Sequence, residues 1–110
     1  MSAKFVIKRA KDGEFYFNLK AANGQDILTS EMYKAKASAK NGIASVKKNA
    51  PDDARYERKE DKKGHPRFNL KAANHEVIGT SQSYHSHEAR EEGIASVKKN
   101  APGAPVEDES

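Results

Sequence analysis

The chain has 110 residues, a single-domain length, yet Leu, Ile, Val and Phe make up only about 15% of it and charged residues 33%. Without cysteine it has no disulfide framework and no thiolate chemistry. The net charge of +4 is mild, and no apolar run approaches the ~18 residues of a membrane span.

Met1 to Lys8 holds only three consecutive apolar residues, so a secretory leader is not expected and a cytoplasmic location is. The residues from Lys4 to Arg9 predict a first strand. Phe15, Phe17, Leu19 and Ala21 then alternate with Tyr16, Asn18, Lys20 and Ala22, the two-residue period of a half-buried strand. Asp12-Gly13 and Asn23-Gly24 flank it, which predicts tight hairpin turns of the type with two positive-φ residues. A third strand is expected over 27–30, with its buried face open. A two-residue turn points Leu28 inward, whereas a longer one points Ile27 inward.

A helix is expected over 38–49. Ala39, Ile43, Val46 and Ala50 share one face, and Lys47 and Lys48 suit the negative end of the dipole. Ala50-Pro51 stops it. Gly42 falls inside, costing about 1 kcal/mol relative to Ala, which suggests close approach of helix to sheet.

The pattern then returns. Gly13 to Pro51 matches Gly64 to Pro102 without a gap at 22 of 39 positions, an offset of 51 residues. Strands are therefore expected over 55–59, 67–72 and 77–81, and a helix over 88–100 with Ser86 as its N-cap. One copy alone is marginal in size. The expected fold is thus α+β: residues 1–51 and 52–102 are tandem β-β-β-α units that share one antiparallel sheet with both helices on one face. They are read as one cooperative domain. Residues 103–110, acidic and punctuated by Pro and Gly, read as a disordered tail.

The paired Phe-Asn-Leu-Lys-Ala-Ala-Asn strands and Gly-Ile-Ala-Ser-Val-Lys-Lys-Asn helices resemble the YegP family of small bacterial proteins, from about Lys4 to Pro102. That family is one of unknown function. The resemblance implies a duplicated β-β-β-α fold and no catalytic residues. His75, in place of the turn glycine, and Pro66, in place of Phe15, depart from the first copy.

No nucleotide-binding or nucleophile motif occurs, so an enzyme is not expected. His85 and His87 form at most a two-imidazole pair, short of a zinc site, and no metal or cofactor is expected. Tyr16, Asn18 and Lys20 with Arg67, Asn69 and Lys71 should form a polar, basic open sheet face. Such a face suits stacking and phosphate contacts with single-stranded nucleic acid, and equally a solvated sheet surface. Lys47, Lys48, Lys98 and Lys99 are candidate anion contacts. Tyr33 and Tyr84 are expected to cap the core edge, and Asn23 and Asn74 to form turns. Residues 1–51 carry a net charge of +6, residues 52–102 +1 and the tail −3. The reading is a non-enzymatic module that binds a protein or small ligand, monomeric or homodimeric. Weak nucleic-acid binding is the alternative.

Overall fold

The computed structural model describes residues 3–110. The first copy forms β1 (Lys4–Arg9), β2 (Phe15–Lys20), β3 (Asp26–Thr29) and α1 (Lys36–Asn49). The second forms β4 (Tyr56–Glu60), β5 (Pro66–Lys71), β6 (Val77–Thr80) and α2 (His87–Asn100). A last strand, β7 (Val106–Asp108), follows a turn of helix at Ala101–Gly103. All seven strands form one sheet in the order β4-β5-β6-β3-β2-β1-β7.

Alternation places Phe5, Ile7, Phe17, Leu19, Leu28, Tyr56, Phe68 and Leu70 on one face of this sheet. There they join Ala39, Ile43, Val46, Ile94 and Val97 of the helices in one buried cluster. The helices are thus packed on one face, as expected. Each helix also touches strands of the other copy, α1 reaching β5 and β6 and α2 reaching β3.

Two expectations are corrected. The tail is not disordered, and the sheet is mixed instead of wholly antiparallel, because β7 pairs with β1 in parallel. The topology explains the direction. After α1 the chain turns at Asp53–Arg55 into the start of β4. After α2 the equivalent turn delivers it to the start of β1, whose place is already filled, so β7 runs alongside. Phe5 donates its N–H to the Pro105 carbonyl (2.8 Å) and Glu109 donates to Ile7 (2.8 Å). Lys4–Glu107 (2.7 Å) and Lys36–Asp108 (2.9 Å) ion pairs match the acidic tail to the basic first copy.

The turns also differ from expectation. Each closes on a single left-handed residue: Gly13, Gly24, Gly64 or His75 (φ 71°). Gly24 donates to Ala21 (2.9 Å) and Ala21 donates to Gln25 (2.8 Å), the geometry of a type I turn closed by a bulge. Asn23 and Asn74 accept from Gln25 and Glu76, as turn formers do. A register shift between Leu19 and Lys20 settles the third strand: Leu28 opposes Leu19, and Ile27 is also buried.

The internal symmetry axis passes between β3 and β6, where Thr29 pairs with Thr80. Only one leucine fits beside it. A Cβ on Gly79 would lie 2.6 Å from Leu28 Cγ, so the residue equivalent to Leu28 must be glycine. The helix glycines face side chains: a Cβ on Gly42 would lie 2.9 Å from Tyr33 Cζ, and one on Gly93 2.7 Å from Tyr84 Cζ. These tyrosines cap the core edge, stacked on Phe17 and Phe68. Ser86 caps α2 by accepting from Ala89, whereas α1 has no side-chain cap. Pro66 lacks the N–H that Phe15 donates to Tyr33, so the second copy keeps only the Tyr84-to-Pro66 bond.

Candidate functional site

Tyr16, Asn18, Lys20, Arg67, Asn69 and Lys71 all lie on the sheet face away from the helices, because they alternate with core residues along β2 and β5. Register brings the two asparagines into one row across all seven strands: Glu57, Asn69, Thr80, Thr29, Asn18, Val6, Glu107. Asn18 donates to Thr29 Oγ1 (2.8 Å) and Asn69 to Glu57 Oε1 (3.0 Å). Of the lysines flanking this row, Lys4, Lys20 and Lys71 are neutralised locally, whereas Lys8 and Lys59 have no ion pair among the described residues. Lys20 pairs with Asp26 (2.8 Å), Lys71 with Glu57 (3.0 Å) and Lys4 with Glu107. Those hydrogen bonds hold the Glu57 carboxyl below its ordinary range, Lys71 contributing most. Arg67 Nε and Asn69 Oδ1 are buried there without a partner.

The helix-end lysines do not converge. Lys98 is bound to Asp53 (2.6 Å) and lies over the Tyr56 ring, and Lys47 lies over the Phe5 ring. Lys48 and Lys99 are exposed. His87 faces Glu60 (3.3 Å), His85 is exposed, and no three potential metal ligands cluster among the described residues.

One grouping of Ser, Asp and His does assemble. Ser83 Oγ donates to Asp61 Oδ2 (2.8 Å), and His65 Nδ1 lies 3.4 Å from the same oxygen. The Ser83 hydroxyl, followed by backbone N–H groups of His65 and Lys63, lowers the Asp61 carboxyl to about 2. The carboxylate stands between hydroxyl and imidazole, so the hydroxyl meets a carboxylate of lowered basicity and not the imidazole. This cluster ties a loop to a turn.

The feature that sequence reasoning missed is a pocket of about 350 Å³ between α1 and the β1–β7 edge, lined by Ile7, Lys40, Ile43, Val106 and Asp108. Its counterpart 51 residues on is Arg58, Glu91 and Ile94. There Arg58 Nε donates to both Glu91 oxygens (3.0 and 2.9 Å), and Arg58 also grips Asp53 (3.0 Å). These bonds push the Arg58 guanidinium up and the Glu91 carboxyl down. One copy thus has a charged pair where the other has an apolar pocket. The pairs Ile7/Arg58 and Lys40/Glu91 signalled this in the sequence, but β7, which completes the wall, did not.

The doubled strand-and-helix unit defines a tandem-repeat protein of the class described as "Domain of unknown function (DUF1508)", which matches residues 10–57 and 61–108. Those spans run from β2 into β4 and from β5 to the end of β7, so β7 stands where β4 does in the repeat. The chain belongs to the UPF0339 family, in line with its resemblance to YegP. It is 63% identical over 108 residues to UPF0339 protein ACIAD0721 of Acinetobacter baylyi, covering 98% of this chain and 97% of that one. It is 52% identical to YegP of Escherichia coli O157:H7, covering 98% of each. The solution structure of UPF0339 protein SO3888 from Shewanella oneidensis matches with a TM-score of 0.92 at 48% identity, covering 98% of this chain and 92% of that one. That of yegP from E. coli matches at 0.93 and 50%, covering 99% and 94%. The family description names no reaction. No helix among the described residues is long and apolar enough to cross a membrane.

Proposed function

We propose that the protein is a non-enzymatic cytoplasmic binding module whose ligand enters the pocket between α1 and the β1–β7 edge. The divergence of the two copies carries this reading. Where the second copy has the Arg58–Glu91 pair beside an uncovered edge, the first has Ile7 and Lys40 beside β7 and about 350 Å³ open. That volume is at the lower end of the ~300–1,000 Å³ of small-molecule sites. The arrangement at Asp61, a carboxylate between hydroxyl and imidazole, supports the non-enzymatic part. A fragment screen read by amide correlation spectra tests the site. Hits are expected to move the resonances of Ile7, Lys40, Ile43, Val106 and Asp108. Hits confined to the open sheet face, or none anywhere, would overturn it.

Nucleic-acid binding is a second reading, favoured by the unpartnered Arg67 Nε on the open face. The ion pairs at Lys4, Lys20 and Lys71 weigh against it. If it holds, labelled single strands bind at low salt and release as salt rises, and Arg67→Ala weakens them.

A further inference from the structure

We infer, on the reading that this pocket is the binding site, that its ligand is a small apolar monocarboxylate. Its tail would lie along Val106 at the mouth above Ile7 and Ile43, and its carboxylate would meet the Lys40 ammonium.

The lining divides by chemistry. Ile7 and Ile43 are buried core residues and Val106 is an exposed aliphatic, so three of the five lining side chains offer no hydrogen bond. They favour a hydrocarbon body. The two charged side chains are not equivalent. Asp108 receives Lys36 Nζ (2.9 Å), the Ser110 hydroxyl (2.6 Å) and the Ser110 N–H (2.9 Å). These bonds hold its carboxyl well below the ordinary range, the Ser110 hydroxyl contributing most. Its acceptors are occupied, so it does not call for a cationic ligand. Lys40 is exposed and has no carboxylate partner among the described residues. The unsatisfied charge at the rim is therefore positive.

The second copy has the reverse sign at the equivalent helix position. At the position of Lys40 stands Glu91, a carboxylate held over the β4 edge by Arg58. In the first copy that position presents a cation and the space beneath it is apolar. A single ammonium with an aspartate nearby suits one negative charge better than two, because Asp108 repels a phosphate dianion more strongly. Val106 and Asp108 both belong to β7, so occupancy also clamps that strand onto β1.

Octanoate and its neutral amide, octanamide, are titrated onto the labelled full chain and onto Lys40→Gln and Lys40→Arg variants. Because Lys40 is exposed, neither substitution threatens folding. Octanoate should move the amides of Ile7, Ile43 and Val106 saturably, and bind about fivefold more tightly than octanamide. Lys40→Gln should bring octanoate down to the level of the amide, and Lys40→Arg should retain most of the difference. Equal binding of acid and amide to the unmodified chain would overturn the assigned charge and leave the pocket standing as a site. Inorganic phosphate moving the same resonances as strongly as octanoate would reduce the site to a bare anion contact and overturn the apolar class. No shift with either organic probe would remove the pocket reading itself.

Discussion

The two copies share one template but not one environment, and the difference is concentrated in their first strands. In β1, Phe5, Val6 and Ile7 are all fully buried, because β7 covers the outer edge. In β4, the equivalents Tyr56, Glu57 and Arg58 lie on an open edge, and Glu57 and Arg58 end in ion pairs. An uncovered strand edge invites pairing with other chains, and charged side chains discourage it. One residue pattern therefore became two. The protected copy has apolar side chains and a pocket, while the exposed copy has a charged network at the equivalent positions. Duplication supplied the frame, and the unequal edges gave the halves different surfaces.

The largest test of this comparison lies at the symmetry axis. Leu28→Ala should cost about 3 kcal/mol and Gly79→Leu about 2 kcal/mol, read as urea unfolding midpoints. Combining Leu28→Gly with Gly79→Leu should recover most of that loss by moving the leucine across the axis. Costs that simply add would mean the halves are not interchangeable there. A smaller effect is expected in acid. Arg58 and Lys98 lower the Asp53 carboxyl from 3.8 to about 2, and Arg58 lowers that of Glu91. Depressed carboxyls stabilise the fold above their unfolded values, and that stabilisation is lost as pH falls from about 4 towards 2. Arg58→Leu should make the decline in melting temperature across this window shallower, though not flat, since Asp61 and Asp108 titrate low as well. An unchanged slope would show the network to be electrostatically idle. The smallest effect concerns the turns. His75 takes a left-handed conformation that Gly24 takes in the first copy, so His75→Gly should gain about 0.5 kcal/mol and Gly24→His should lose a similar amount. Opposite signs would mean that His75 makes a compensating contact.

Legibility followed the range of the interactions. Alternation and capping are local, so the first six strands, both helices and the Ser86 cap could be read from the residues. The repeat placed them in one sheet. The third strand stayed ambiguous because its facing depends on a bulge between Leu19 and Lys20, which no hydrophobic pattern encodes. β7 was hidden because Val-Glu-Asp has no strand period of its own. Its partners are Lys4 and the β1 backbone, about a hundred residues earlier in the chain, and Lys36 at the start of α1. The open face was legible as a face but not as an electrostatic surface. The carboxylates that neutralise Lys4, Lys20 and Lys71 sit on β7, β3 and β4, and only the register brings them there. The pocket joins both difficulties, since it needs the tail to form a wall and the repeat comparison to show what is missing.

The parallel pairing of β1 with β7 also has a consequence for how the molecule is made. β1 receives its outer neighbour from residues that are translated well after it, once both repeats have been made. Until β7 has been made, the outer edge carrying Phe5, Val6 and Ile7 lacks that strand, while the hairpin to β2 can already close. Completion of the sheet thus waits for β7, so a chain that stops before Val106 would leave β1 open along its outer edge.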